Sequence, residues 1–129
     1  MDFHHIGIAV KNIEKSEKIY RDLGYQSFLT IEDPIQNVNL CFLQKPNSPT
    51  LELVCPIGNE SPIVNTLKKN GSTPYHTCYQ VKNIKEKIYD LKLLGFRQIS
   101  EVVPAKAFKN RLVCFLYNKE IGLIELLNK

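Results

Sequence analysis

Two stretches of the chain repeat each other, and this repeat limits the possible folds more than any other feature. Val10, Lys11, Asn12 and Ile13 recur as Val81, Lys82, Asn83 and Ile84 at an offset of 71 residues. The same offset carries His5 onto His76, and Leu23, Gly24 and Tyr25 onto Leu94, Gly95 and Phe96. Further along, the offset becomes 73. There Cys41, Phe42 and Leu43 meet Cys114, Phe115 and Leu116, and Leu51, Glu52, Leu53 and Val54 meet Ile124, Glu125, Leu126 and Leu127. A two-residue length change in the intervening loops accounts for the shift. So long a period does not suit a solenoid, whose units run to roughly 20–45 residues. It implies two copies of one supersecondary unit.

Each copy reads as βαβββ. In the first, a strand over 4–10 leads to Asn12, an N-cap residue, and a helix over 13–23 with Ile13, Ile19, Tyr20 and Leu23 as its apolar stripe. Gly24 stops the helix. Strands follow near 26–32, 37–44 and 50–55, separated by turn signals at Asp33-Pro34 and at Pro46 to Pro49. The second copy predicts a strand at 75–81, a helix at 83–94 with Asn83 as cap and Gly95 as stop, and strands near 97–103, 111–117 and 121–127. The expectation is one α+β domain over 1–129. It consists of modules 1–55 and 74–129 joined by the linker 56–73, with a short helix after Ser61-Pro62 that ends at Gly71. Pairing the modules would curve their mixed sheets round a common cavity.

Strand alternation then selects a site. Residues i and i+2 share a face, so Glu52 goes with Val54, while Leu51 and Leu53 take the opposite side. Glu125 goes with Leu123 and Leu127, while Ile124 and Leu126 face away. Both carboxylates therefore sit in apolar strands, where ionised acids need a partner. His5 and His76 occupy matching places in the two copies. We read His5, Glu52, His76 and Glu125 as ligands of one divalent metal ion, two from each module. Two imidazoles and two carboxylates suit Zn²⁺, Ni²⁺, Co²⁺, Mn²⁺ or Fe²⁺. Gly7 and Ala9 beside His5 either leave room for substrate or pack against the other half. His4 is the competitor for His5, but alternation aims it at the opposite face.

The remaining features are less specific. Net charge is +4, with lysines spread along the chain, which argues against nucleic acid. No apolar run reaches the roughly 20 residues that span a bilayer, and the N-terminus has no signal pattern. A cytoplasmic protein is expected. The four cysteines, Cys41, Cys55, Cys78 and Cys114, form no CxxC pair and read as reduced, buried small hydrophobes.

Across nearly its whole length the chain resembles the vicinal oxygen chelate superfamily, which includes glyoxalase I, methylmalonyl-CoA epimerase, extradiol dioxygenases and antibiotic-resistance proteins. The resemblance lies in His4 to Ile13, Glu52 to Pro56, Glu60 to Ile63, Gly71 to His76 and Gly122 to Leu126. It implies a glyoxalase-like fold, metal ligands at His5, Glu52, His76 and Glu125, and a homodimer. The acidic residue at 52 argues against a dioxygenase. The favoured reading is a glyoxalase I-type lyase (lactoylglutathione lyase-like). It would isomerise the thiohemiacetal of a 2-oxoaldehyde by proton transfer, with Glu125 or Glu52 as base. The alternatives are an epimerase of 2-methyl acyl-CoA and a small-molecule-binding resistance protein. In epimerases a Glu-Gln pair near the third strand is thought to supply a base. Its counterpart here is Ile35-Gln36, and isoleucine cannot move a proton. Asp33 or Glu32 could substitute if the loop shifts. Lys106, Lys109 and Arg111 offer a basic loop for acyl-CoA phosphates.

Overall fold

The computed structural model describes residues 1–129. The first module runs β1 (Asp2–Ala9), α1 (Ile13–Asp22), β2 (Gln26–Asp33), β3 (Val38–Gln44) and β4 (Leu51–Pro56). The linker contains α2 (Val64–Asn70) and ends at Gly71, whose φ of 67° suits a residue without a side chain. The second module runs β5 (Thr73–Val81), α3 (Ile84–Leu93), β6 (Arg97–Gln98), β7 (Val103–Ala105), a 3-10 turn (Lys106–Phe108), β8 (Arg111–Asn118) and β9 (Gly122–Asn128). No helix is long and apolar enough to cross a membrane.

The nine strands form one curved sheet in the order β2-β3-β4-β1-β5-β9-β8-β6, with β7 also on β8. The modules meet where β1 lies antiparallel to β5. Within each module the first strand runs parallel to the last, β1 to β4 and β5 to β9. Both modules belong to one chain, and the seam between them needs no second copy.

Alternation sorts the core into three clusters. Leu51 and Leu53 join Ile8, Val10, Cys41 and Leu43 under α1. Ile124 and Leu126 join Ile84, Ile88, Leu91 and Leu116 under α3. Val54, Leu127, Ala9, Leu40, Phe42 and Phe108 line the concave side. The face assignments made from the sequence for both Glu-containing strands therefore hold. Cys41, Cys78 and Cys114 are buried, Cys55 is partly so, and all four are free thiols.

Two expectations fail. The α1 stripe is narrower than predicted, because Ile13 and Tyr20 pack on the sheet while Ile19 and Leu23 are exposed. At about 100° per residue, position 20 returns to the azimuth of 13, but 19 and 23 do not. The strand expected at 97–103 is broken between β6 and β7. The Ser100 hydroxyl accepts a 2.8 Å hydrogen bond from the Phe115 amide, replacing a ladder carbonyl, and pairing resumes only at Val103 opposite Val113. The change of repeat offset arises in this region. Arg97 opposite Tyr117 repeats Gln26 opposite Gln44, so the first members are 71 residues apart and the second members 73.

Both helix caps are formed. Asn12 Oδ1 accepts from the Lys15 amide at 2.8 Å, and Asn83 Oδ1 from the Glu86 amide at 3.1 Å. Replacing either asparagine with alanine should cost about 0.5–2 kcal/mol. Thermal or denaturant unfolding of Asn12→Ala and Asn83→Ala measures this, and an unchanged midpoint in both would contradict the capping account.

Candidate metal centre

Strand register builds the site. At the seam Ile6 pairs with Thr77, its own counterpart in the repeat, so a pseudo-twofold axis passes between them. On one side His5 faces Cys78, and on the other Gly7 faces His76. The row continues outward symmetrically. Gly7 lies beside Glu52 and Glu52 beside Phe42, while Cys78 lies beside Glu125 and Glu125 beside Phe115. Cross-strand neighbours share a face, so each histidine projects over a small residue of the other module, next to a glutamate.

The four side chains converge on one point. His5 Nε2 is 3.4 Å from Glu52 Oε1, 3.3 Å from Glu125 Oε1 and 3.3 Å from His76 Nε2. His76 Nε2 is 3.5 Å from each of the same carboxylate oxygens. All four residues are buried. Phe42 packs edge-on to His5 and Phe115 edge-on to His76, giving each imidazole an apolar neighbour.

A divalent cation fits this arrangement. Donor atoms on an ion with bonds of about 2.1 Å stand about 3.0 Å apart at right angles and about 3.4 Å apart in a tetrahedron. The observed spacings, 3.3–3.5 Å, lie close to the tetrahedral value. Glu125 Oε1 is buried without a hydrogen-bond donor although two imidazole nitrogens stand close by. Such an oxygen is costly unless a cation faces it. The electrostatics agree. Burial alone would strip charge from His5, but Glu52 and neighbouring acceptors outweigh it and hold the imidazole well above the usual histidine range. Burial likewise opposes charge on Glu125, yet the nearby imidazoles of His5 and His76 keep its carboxyl well below the usual carboxylate range. The centre favours positive charge. Cys78 stands outside this four-residue group, and burial and then Glu125 push its thiol up to about 12.

Gly7 has a specific task. A Cβ there would stand 1.9 Å from His76 Cε1. Of the two readings of its small size, packing against the other half is the one observed. Cys78, at the matching place of the second module, lies under His5 and is fully buried.

A cavity of about 510 Å³ opens beside the group and includes Glu52 and Glu125 in its wall. Its lining is mostly apolar, with Phe108, Tyr75 and Gln36 among the residues the repeat pattern did not single out. Burial, followed by the two glutamates, keeps the Tyr75 hydroxyl protonated well above the usual phenol range. Ile35 lines this cavity and carries no proton. Asp33 cannot stand in for a base there. It is fully buried, and its carboxylate accepts from the Ile35 amide, the Gln36 amide, Gln36 Nε2 and the Lys106 amide. It ties the β2–β3 turn to the 3-10 turn of the other module. Glu32 is exposed. Of the basic loop, Lys106 and Lys109 are exposed, whereas Arg111 is turned aside to Gln80 Oε1 and the Phe108 carbonyl.

A family model for the Glyoxalase/Bleomycin resistance protein/Dioxygenase superfamily matches residues 4–115. The chain belongs to this superfamily. Human mitochondrial methylmalonyl-CoA epimerase is 35% identical over 95% of this chain and 71% of its own length. The ethylmalonyl-CoA/methylmalonyl-CoA epimerase of Cereibacter sphaeroides is 32% identical, covering 95% of this chain and 94% of the relative. Among solved structures, a hypothetical protein of Bacillus halodurans superposes with a TM-score of 0.86 at 32% identity, covering 99% and 94% of the two chains. The methylmalonyl-CoA epimerase of Mycobacterium tuberculosis gives 0.85 at 25% identity, covering 98% and 87%. The fold read from the sequence is that of this superfamily. The order of the two enzyme readings is not upheld: the relatives point to an epimerase, and only superfamily membership speaks for the glyoxalase I reading.

Gly7→Ala tests the packing of the site. The added methyl should displace the His76 ring, weaken Co²⁺ binding at least about tenfold and destabilise the fold by about 1–3 kcal/mol through overpacking. Metal titration with thermal unfolding reads both effects. Parental Co²⁺ affinity in this variant would show that His76 does not need the space.

Proposed function

We propose that this superfamily member is a divalent-metal-dependent epimerase of a 2-methyl acyl-CoA, with methylmalonyl-CoA as the first substrate to test. The observation that carries the reading is the buried meeting of His5, Glu52, His76 and Glu125 at mutual spacings suited to one ion. Relatives covering 95% of the chain and named as methylmalonyl-CoA epimerases support the choice of substrate class.

The four residues would hold the cation, which when bound supplies a Lewis acid for negative charge on a substrate carbonyl oxygen. The chain itself must move the proton. Glu52 and Glu125 stand at symmetry-related places on the cavity wall. One carboxylate, loosened from the cation, would take the proton from the α-carbon, and the other, likewise loosened and protonated, would return one to the opposite face. The two exchange roles in the reverse reaction. The mostly apolar cavity wall limits competing water. This division assigns to the site pair the base that Ile35 cannot provide. Exposed Lys106 and Lys109 beside the Phe108 wall offer charge for the phosphates of coenzyme A.

A second reading keeps one observation in its favour. With a nonpolar Ile35 at the cavity, a single carboxylate could take a proton and return it to the neighbouring carbon, as in glyoxalase I-type isomerisation of a thiohemiacetal. The experiment separates the two. Protein loaded with Co²⁺, Ni²⁺ or Zn²⁺ is given one methylmalonyl-CoA epimer in D₂O, and in parallel methylglyoxal with several thiols. The expected result is epimerisation with deuterium at the α-carbon. Glu125→Gln should lower that rate by about 10²–10⁴-fold, the usual contribution of a positioned acid or base. Turnover of the thiohemiacetal alone would replace the epimerase reading with the second one.

A further inference from the structure

The residue beside His5 does not behave as strand alternation requires. On β1, Phe3 pairs with Tyr79 and His5 with the very next residue of β5, Cys78, so His4 is the extra residue of a β-bulge. A bulge re-aims a side chain. The His4 ring turns toward the same side as His5 and brings its Nδ1 to 2.8 Å from His5 Nδ1. Phe108 holds it there edge-on, with ring centroids 5.3 Å apart.

Two ring nitrogens at this distance need one proton between them. His5 Nε2 is the atom that faces Glu52, Glu125 and His76. For Nε2 to offer a lone pair to a cation, the ring proton must sit on Nδ1. Nδ1–H then donates to His4 Nδ1, and His4 must carry its own proton on Nε2. We propose that His4 is a positioning residue that fixes the tautomer and orientation of His5 by accepting its Nδ1–H. The inference rests on the reading that the four-residue group binds a divalent ion.

His4, His5 and Cys78 also form a cluster of possible donors. It does not make a second metal site. A separation of 2.8 Å between the two imidazole nitrogens is a hydrogen-bond length and is shorter than the roughly 3 Å or more that ligands of one ion keep. The second module has a matching bulge at Tyr75, between the pairs Gly7–His76 and Ile8–Pro74, but lacks the ring acceptor. The counterpart of His4 is Tyr75, which packs edge-on against His76 with centroids 4.5 Å apart. His76 Nδ1 is left buried without a partner. The two imidazoles of a pseudo-symmetric site are therefore held unequally, His5 by a hydrogen bond and His76 by packing over Gly7.

Three measurements test this. In Zn²⁺-loaded protein, long-range ¹H–¹⁵N NMR of the imidazoles should show His5 protonated at Nδ1, and His4 protonated at Nε2 and bare at Nδ1. His4→Phe keeps a ring against Phe108 but removes the acceptor. It should weaken Co²⁺ binding by about 10–100-fold, the usual effect of losing a group that orients a ligand, and shift the visible Co²⁺ absorption. His4→Asn restores an acceptor oxygen and should recover most of the affinity and the parental spectrum. A proton on His4 Nδ1 overturns the proposal, and so does parental affinity and spectrum in His4→Phe. Equal losses in His4→Asn and His4→Phe overturn it as well. If the parental chain binds neither Co²⁺ nor Zn²⁺, the metal reading itself fails and takes this one with it.

Discussion

The antiparallel seam between β1 and β5 carries the rest of the molecule. Its register, Ile6 opposite Thr77, makes the repeat symmetric about one pair of residues. A slip of one residue would send every side chain of one module to the opposite face. Glu52 and Glu125 would then lie on opposite faces of the sheet, and no single ion could face both. The same seam demands small residues at Gly7 and Cys78, because each lies under an imidazole from the other module. Fold and site are thus one constraint seen at two scales.

The symmetry ends just outside the four converging side chains. Tyr75 replaces His4, a buried Cys78 replaces Gly7, and the second strand of the later module is broken by Ser100 where the earlier one is continuous. These departures give the cavity different walls on its two sides. Asp33 then locks them together, since its buried carboxylate collects donors from the turns of both modules. The duplicated framework brings the four side chains together, and the unduplicated residues line the pocket beside them.

The converging residues were legible in the sequence for a physical reason. An acid in an apolar strand is costly, and the same acid at the same place in both copies marks a shared partner. Helix limits were legible because Asn12, Asn83, Gly24 and Gly95 are capping and stopping residues with local effects. The α1 stripe was misread because four apolar residues spread round a short helix do not reveal which pair meets the sheet. The bulge at His4 was not legible, since alternation assigns adjacent residues to opposite faces and only the partner strand shows a missed step. The choice between two proton-transfer chemistries was also misordered, because both use the same donor set and differ in what fills the surrounding cavity.

By itself the sequence determined the duplication, the βαβββ order, the inward faces of the last strands and the identity of the four converging side chains. Those properties follow from local periodicity and from the cost of burying charge. Tertiary structure alone decided that both halves meet within one chain, that Gly7 makes room for a ring rather than a substrate, and that His4 turns to face its neighbour. It also decided that Asp33 is spent on hydrogen bonds. Each of these depends on which strand lies beside which, and that is a property of long-range pairing that no local pattern encodes.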